Sequence, residues 1–423
     1  MAARRLTGVD AQSLWMSAAI PSDEFMVYAF DGPAGALGPA LETVRDSARA
    51  CPDLGVRVDD SGFWTYPQWA PRDVGADQFV VHEDLAGATW AEFCAALAAM
   101  AGDQLDARVR TWRLHVFADI RGIPGAAGPG TVAALQICHA LADGVRGAAL
   151  AGHLFGRRGD VPRAHDSTVR PRMFPVHALR AGAAHRRLTR DTRAGLVPPP
   201  AVLRTPLRTN ARPEGPRGLR TVLCDRRSLS GPTVTVAVLS ALSAALAGHL
   251  RALGDDPAQL GAEVPLARTG LRHSNNHFGN VGVGLYPDEE PERRTAAIAA
   301  DLARRRRRAA HPVTSAESAA SATIPAPLLR WGVRQFDPDV RSGTVLGNTV
   351  VSSVNRGPKD LHFGAAPVLL TTALPTLSPM MGLTHGVHGI GDTVTVSVHA
   401  AESAVADIDA YVDRLRAELG AGG

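Results

Sequence analysis

Cysteine, lysine and aromatic residues are scarce in this chain, and the shortages exclude several classes of protein. The four cysteines, Cys51, Cys94, Cys138 and Cys224, lie far apart and form no Cys-x-x-Cys pair. This spacing argues against a disulfide scaffold and a cysteine metal cluster, and it fits a reducing compartment. Lys359 is the only lysine among 45 basic residues, and no basic stretch is interleaved with aromatic residues, so no nucleic-acid partner is expected. The net charge of +4 permits an anionic partner without requiring one.

Long uninterrupted apolar runs are missing as well. Two stretches lack Asp, Glu, Lys and Arg, namely Leu361–Gly391 and Ser228–Leu250, but proline, glycine or hydroxyl residues interrupt both. The second is better interpreted as a buried helix than as a membrane span. Arg4 and Arg5 are not followed by an apolar core, so no signal peptide is expected. We therefore expect a cytoplasmic protein, with any membrane contact peripheral and at the inner face.

The order of the apolar segments predicts an α/β protein with two lobes. Its 423 residues amount to about two to three typical domains. Helix-like and strand-like segments alternate over residues 1–155, a Gly-, Pro- and Arg-rich segment follows over 156–218, and α/β patterning returns over 219–423. We assign these ranges to an N-terminal lobe, a crossover and a C-terminal lobe.

The most informative segment is QICHALADG, residues 136–144. An apolar, β-capable run leads to Cys138 and His139, and Asp143 and Gly144 then open an Ala/Leu-rich segment that is typical of a helix through Leu154. A histidine at the end of a buried strand, beside a glycine that permits a tight strand-to-helix turn, is held rigidly at a cleft. Histidine also suits general-base chemistry, because its unperturbed pKa lies near neutrality.

This segment resembles the His-His-x-x-x-Asp-Gly signature of the CoA-dependent acyltransferase superfamily, with Cys138 in place of the first histidine. Five further segments resemble, in order, the motifs of the wax ester synthase/diacylglycerol acyltransferase-like branch of that condensation-domain-like superfamily. They are RLTGVDAQSLW (5–15), LDARVRTWRLHVF (105–117), TVTVAVLSALSAAL (233–246), FGNVGVGLYP (278–287) and VVSSVNRGPKDLHFGAAPV (350–368). The agreement extends along nearly the whole chain.

The resemblance implies a two-lobe, chloramphenicol acetyltransferase-like sandwich with a substrate tunnel between the lobes. It also implies an acyltransferase that moves an acyl group from an acyl thioester to a hydroxyl or amine acceptor. The donor would be acyl-CoA or an acyl carrier protein, and the acceptor a lipid or a small molecule. Acyl-CoA is then a substrate, and neither a cofactor nor a metal is expected. No protein nucleophile is required, and the chain has no Gly-x-Ser-x-Gly elbow.

Roles for single residues follow from the same resemblance. His139 would be the general base that takes the acceptor's proton. Asp143 would point away from the reactants and pair with an arginine, for which Arg57 is our candidate, and Gly144 would give clearance for the turn and the substrate. Candidates for oxyanion or substrate binding are Asn280, Cys138, Trp112 and Ser352. For Asn280 the alternative is a turn cap, and for Trp112 it is a place in the core.

Three departures from the family pattern leave the acceptor open. Cys138 replaces the first histidine, Thr235–Val236 stands where the branch carries Asn-Asp, and Ser353 replaces an asparagine. Because the last two lie on the acceptor half of the motif set, one alternative is a tailoring or condensing enzyme with a small or carrier-bound acceptor. Another is a non-catalytic relative that binds acyl thioesters. A covalent role for Cys138 is disfavoured, because adjacent strand residues point to opposite faces. Asn275 and Asn276 are interpreted as loop residues.

Overall fold

The computed structural model describes residues 4–33, 35–165 and 171–420, and it has the α/β character that the sequence predicts. The helices are α1 (Gly8–Met16), α2 (Leu37–Ala50), α3 (Trp90–Met100), α4 (Gly144–Leu154), α5 (Phe174–Arg193), α6 (Val234–Ala252), α7 (Pro291–Ala309), α8 (Val313–Ala322), α9 (Ala326–Arg334) and α10 (Ile408–Glu418). The strands are β1 (Glu24–Phe30), β2 (Val56–Asp59), β3 (Gln68–Pro71), β4 (Phe79–Val81), β5 (Trp112–Ile120), β6 (Gly130–Ile137), β7 (Arg217–Asp225), β8 (Gly261–Ala267), β9 (Phe278–Gly284), β10 (Thr349–Asn355), β11 (His362–Phe363), β12 (Ala366–Leu374), β13 (Leu383–Ile390) and β14 (Thr393–Ala401).

Two six-stranded sheets form the centres of the two lobes. The first has the strand order β11-β12-β1-β6-β5-β4 and the second the order β7-β14-β13-β10-β8-β9. In the first sheet β1 lies between β6 and β12 and is antiparallel to both. In the second sheet β10 is parallel to both of its neighbours, β13 and β8. Strands β2 and β3 form a separate hairpin-like pair.

The chain returns to the first sheet near its C-terminus. Strands β11 and β12 fall inside the range 219–423 that the sequence assigns to the C-terminal lobe, yet they pair with each other and β12 pairs with β1. The sheets therefore do not follow the predicted boundaries strand by strand, because β12 completes an edge that the N-terminal segment leaves open. The division at residues 155 and 218 stays a prediction.

Alternation along the strands divides the core into three clusters. On β1, Met26, Tyr28 and Phe30 pack on the side of α2 and α4, whereas Phe25, Val27 and Ala29 pack on the side of α3 and β7, because successive strand residues face opposite sides. The third cluster joins the second sheet to α6, α7 and α10. Within the described residues, α6 is long and apolar enough to cross a membrane by length and composition, and 67% of its apolar window is buried inside the protein.

Candidate active site

His139 lies in the short turn that joins β6 to α4. Strand β6 ends at Ile137, and the amide of Cys138 donates to the carbonyl of Thr111 at 2.9 Å. Helix α4 then begins at Gly144, with the Asp143 side chain as its N-cap. The predicted strand–histidine–helix arrangement, including the helix end at Leu154, is confirmed.

The imidazole of His139 is held in one tautomer by the backbone. Its Nδ1 lies 3.0 Å from the carbonyl oxygen of Ala142, and since a carbonyl only accepts, Nδ1 carries the proton and Nε2 does not. The ring stacks on Phe278 at 5.7 Å between centroids and 16° between planes, and the side chain keeps 23% of its exposure. An unprotonated Nε2 on a fixed ring is what a general base requires.

Glu24 is a charged neighbour of His139 that the sequence analysis missed. Its Oε1 lies 3.6 Å from the His139 Nδ1. Burial raises the pKa of the Glu24 carboxyl, while the positive charge of protonated His139 lowers it and Asp143 raises it further. The sequence signal is a lone acid at the head of an apolar strand, EFMVYAF. A carboxylate at this position stabilises the imidazolium that forms when the base takes a proton.

Both carboxylate oxygens of Asp143 accept hydrogen bonds from neighbouring protein groups. Its carboxylate accepts from the Arg272 guanidinium at 3.0 and 3.3 Å, from the His277 amide at 2.9 Å and from the Arg146 amide at 2.9 Å. The arginine partner that the resemblance implies is therefore Arg272, and our choice of Arg57 was wrong. Arg57 is exposed on β2. Arg272 comes from a loop 129 residues further along the chain, and sequence spacing gives no signal for such a partner.

Asp53, four residues before Arg57, forms a different buried ion pair. Asp53 pairs with Arg146 of α4 at 2.8 Å, and Arg146 has no exposed surface. Arg146 also donates to the carbonyl of Leu141 at 2.9 Å. Burial raises the pKa of the Asp53 carboxyl, but the guanidinium groups of Arg146 and Arg163 together outweigh it and hold that pKa below its usual range. This buried pair anchors the first turn of α4 and with it the loop that carries His139.

Two asparagines hold the histidine loop from the other lobe. The Asn276 side chain donates to the carbonyl of His139 at 2.7 Å, and the Asn275 side chain donates to the carbonyl of Ala140 at 3.2 Å. The Asp10 carboxylate on α1 in turn accepts hydrogen bonds from the backbone N–H groups of Asn275 and Asn276, each at 3.0 Å. Asn275 and Asn276 are loop residues, as predicted, but both are buried and they position the loop, a role the sequence analysis missed. The signal was Asp10 in the segment RLTGVDAQSLW.

Gly144 allows the two lobes to approach each other. A Cβ atom at this position would lie 3.0 Å from Val354 Cγ2 of β10. Gly144 is the first residue of α4 and is not among the glycines with positive φ, so the turn does not need the left-handed conformation that favours glycine, and clearance for the substrate stays a prediction. The glycine is required for close contact between the helix and β10.

Three of the candidate binding residues lie in other environments. Cys138 is 5% exposed, and burial raises the pKa of its thiol well above the usual range, which argues against a nucleophilic role. Trp112 is fully buried and donates to the carbonyl of Leu54 at 2.8 Å, which places it in the core. The exposed Asn280 donates its amide to Glu263 and makes no contact with His139 among the described residues.

Ser352 lies on the strand face that meets the histidine loop. On β10, Val351 belongs to the core of the second sheet, while Val354 approaches Gly144. By alternation Ser352 shares the face of Val354. It is in register with Gly386 of β13 and is partly buried.

Thr235 and Ser353, which depart from the family pattern on the acceptor side, contact each other. The hydroxyls of Thr235 on α6 and Ser353 on β10 are 2.9 Å apart, which is a hydrogen bond. Two hydroxyls thus meet at positions where the resemblance implies asparagine side chains, while Val236 stands at the position where it implies aspartate. In the described part of the chain no group of three His, Cys, Asp or Glu side chains could hold a metal ion.

A buried polar chain runs behind the histidine loop. Gln136 donates to Asp23 at 2.8 Å, its amide oxygen lies 3.2 Å from His115 Nε2, and His115 Nδ1 lies 3.0 Å from His82 Nε2. Burial raises the pKa of Asp23 to about 6 and lowers that of His115 to about 4. These groups therefore titrate far from their usual ranges.

Solved structures share the fold of this protein over nearly the whole chain. A wax ester synthase/diacylglycerol acyltransferase from Marinobacter aquaeolei VT8 superposes with a TM-score of 0.63 at 18% identity, covering 98% of this chain and 98% of that chain. The first condensation domain of the calcium-dependent antibiotic synthetase gives 0.58 at 17% identity, with 99% and 96% covered. A starter condensation domain of rhizomide synthetase, in complex with C8-CoA and Leu-SNAC, gives 0.56 at 13% identity, with 99% and 93% covered.

The fold is that of the two-lobe, condensation-domain-like acyltransferases, and this prediction is confirmed. Residues 275–421 match the family model described as the WS/DGAT C-terminal domain, while no curated protein sequence gives a significant match. The C-terminal third of the chain therefore resembles the C-terminal domain of the WS/DGAT family, in agreement with the branch that the motifs indicate. His139 lies outside the matched range, and its catalytic role stays a prediction.

Proposed function

We propose that this protein transfers an acyl group from an acyl thioester to a hydroxyl or amine acceptor, with His139 as general base. The observation that carries the proposal is the fixed imidazole at the junction of the lobes. Its Nδ1 is bound to the carbonyl of Ala142, and its Nε2 has no hydrogen-bond partner among the described residues. The family is one of acyltransferases, which supports an enzymatic role over that of a non-catalytic relative.

The residues support a direct transfer. His139 Nε2 takes the proton of the acceptor hydroxyl or amine while the acceptor oxygen or nitrogen bonds to the thioester carbonyl carbon. The tetrahedral adduct then breaks its carbon–sulfur bond, and the imidazolium returns the proton to the departing thiolate. Glu24 stabilises the imidazolium between these steps. Asn276 and Asp143 keep the ring in place, since they hold the backbone on both sides of it.

The donor we propose is acyl-CoA or an acyl carrier protein, and acyl-CoA enters as a substrate and not as a cofactor. We propose a cytoplasmic location with any membrane contact peripheral. Wax ester or triacylglycerol synthesis is the leading activity, because the C-terminal family match is to that branch.

A second candidate is a tailoring or condensing reaction with a small or carrier-bound acceptor. The specific observation in its favour is the Thr235–Ser353 hydroxyl pair, which remodels the acceptor half of the motif set. A site whose hydrogen-bonding groups have changed discriminates against the original partner, because an unpaired buried group costs about 1–3 kcal/mol. On this basis long-chain alcohols and diacylglycerol would be poor acceptors.

The test follows free thiol release from a panel of acyl-CoA donors of different chain length, with long-chain alcohols, diacylglycerol and small amines as acceptors. Thiol release that depends on an acceptor and is lost in His139→Gln supports the proposal. The exposed His362 provides a matched control, since His362→Gln should transfer at the wild-type rate. If no donor–acceptor pair releases thiol, or if His139→Gln retains transfer, the proposed function is wrong.

A further inference from the structure

Arg356 is a buried arginine that forms no ion pair among the described residues, although the Glu24 carboxyl lies near enough to interact with its charge. It follows β10 and is 4% exposed, and its Nε and Nη1 have no hydrogen-bond partner among the described residues. Its guanidinium carbon lies 5.1 Å from the centroid of the Tyr28 ring. The backbone is fixed on both sides, because the Arg356 amide donates to Gly389 at 2.8 Å and its carbonyl accepts from Arg157 at 2.7 Å. The side chain is thus held in place without being neutralised.

Other unpartnered polar atoms lie on Tyr28 and His388, which neighbour this guanidinium, and on β14 beside His388. The Tyr28 hydroxyl, His388 Nδ1 and the hydroxyls of Ser397 and Thr395 are buried and lack partners in the described part of the chain. Arg356 lies near enough to His388 to lower the pKa of that imidazole, after the larger effect of burial. A Cβ atom on Gly386 would lie 2.5 Å from both His388 Cε1 and the Ser397 hydroxyl, so these two side chains meet above the glycine. Native proteins leave few buried polar atoms unpaired, and a cluster of them indicates a missing partner.

The cluster is connected to His139 through β1 and β10. Glu24 and Tyr28 share one face of β1 and are four residues apart, which is roughly 13 Å along a strand. Glu24 contacts His139, and Arg356 contributes to lowering the pKa of the Glu24 carboxyl, against burial and after His139. Val354, two residues before Arg356, approaches Gly144. The guanidinium and the base therefore lie beside the same face of β1, near Tyr28 and Glu24 respectively.

A carboxylate is the group that complements this environment. A planar guanidinium binds a carboxylate through two parallel hydrogen bonds, and one positive charge balances one negative charge. The other unpartnered groups are hydroxyls and a neutral imidazole, which add hydrogen bonds but no charge to balance a phosphate dianion. The cation–π contact with Tyr28 orients the guanidinium without satisfying its N–H groups.

We propose that Arg356 binds the carboxylate of an acidic acceptor, a hydroxy acid or an amino acid, whose hydroxyl or amine is directed at His139. This inference rests on the proposed function, because the acyl thioester carries no carboxylate at its reacting end and the acceptor is then the anionic substrate. Arg356 is a specificity-determining residue in this arrangement and takes no part in the proton transfer.

Binding to the full-length protein tests the proposal independently of turnover. The probes are two matched pairs, 3-hydroxyoctanoate with its methyl ester and leucine with leucinamide, measured by isothermal titration calorimetry. We expect at least one acid to bind roughly 10- to 100-fold more tightly than its counterpart without a carboxylate, as for hydrogen bonds to a charged group. Arg356→Met should remove this preference. Arg306 is an exposed arginine on α7, and Arg306→Met should keep it.

The outcomes separate ligand binding from folding and from catalysis. We expect Arg356→Met to melt at or above the wild-type temperature, because it removes an uncompensated buried charge. If Arg356→Met unfolds, Arg356→Lys is tested in its place. Lysine keeps the positive charge but cannot form two parallel hydrogen bonds to a carboxylate, so this variant should weaken the preference for the acid about tenfold. Equal binding of the acid and its counterpart in both pairs, or an unchanged preference in the variants, overturns the proposal. Acid binding without acceptor-dependent thiol release would instead contradict the proposed function and leave the carboxylate site standing.

Discussion

Replacing Asp143 by Asn should destabilise the protein without removing the helix cap. Asparagine is as good an N-cap as aspartate, so α4 keeps its first hydrogen bond. What is lost is the charge that pairs with Arg272 and the acceptor oxygen Oδ2, so that Arg272 Nη1 and the His277 amide both lose their bond to residue 143. Asp143 and Arg272 have side chains that are 5% and 13% exposed, so water does not replace the missing partner.

The size of the stability loss in Asp143→Asn follows from the burial of the Asp143–Arg272 ion pair. Removing one partner of a buried ion pair costs about 3–5 kcal/mol, because the other charge is left uncompensated. For a chain of this length the unfolding entropy converts this loss into a fall in Tm of roughly 3–6 °C. The His139 loop should loosen at the same time, since the His277 amide bond to Asp143 follows directly on Asn276.

A double-mutant cycle of Asp143→Asn with Arg272→Met, measured by urea unfolding, isolates the pair. We expect a coupling energy of about 1–3 kcal/mol, because neighbouring charges in one network are not additive. Arg57→Ala is the matched control and should add independently to Asp143→Asn. An unchanged Tm with lost activity would place Asp143 in the chemistry and refute this reasoning, as would zero coupling to Arg272.

Three further predictions concern the histidine loop and the polar chain behind it. His139→Ala should lower acyl transfer roughly 10²–10⁴-fold with an unchanged circular dichroism spectrum; a near-wild-type rate would remove the general base. Cys138→Ser should keep most of the activity, and an acyl adduct on Cys138 in intact-protein mass spectrometry would contradict this. Asp23 has a pKa of about 6 in the folded protein, above its unfolded value, so its protonated form stabilises the fold at low pH and this contribution is lost as pH rises from about 4 to about 6. Asp23→Asn should therefore raise Tm more at pH 8 than at pH 4, and an equal change at both pH values would show that Asp23 is ionised throughout.

Local patterns in the chain predicted the elements that carry the site. The apolar run before His139 predicts β6, and the Ala/Leu-rich segment after Gly144 predicts α4 through Leu154. Both depend on neighbours in sequence, and short-range periodicity reports them. The same holds for the absence of a nucleophile elbow, which is a property of the sequence alone.

The partners of these elements come from distant segments and could not be predicted. Arg272 and Asn276 reach the histidine loop from another lobe, and β12 crosses back to complete the first sheet beside β1. Spacing in sequence holds no information about such contacts when no periodic pattern joins the two segments. For this reason the prediction that Arg57 pairs with Asp143 was wrong, and the buried pair of Asp53 with Arg146 was not predicted.

The sequence by itself determined the α/β class, the position of His139 between a strand and a helix, and the likeness to the acyltransferase branch, because each depends on residues a few positions apart. Only the tertiary structure decided which charges are neutralised. Asp143, Asp53 and Asp10 are paired or hydrogen-bonded, whereas the buried guanidinium of Arg356 forms no ion pair among the described residues. Burial makes the difference, since an ion costs little in water but requires a partner inside a protein, and burial exists only once the two lobes have packed.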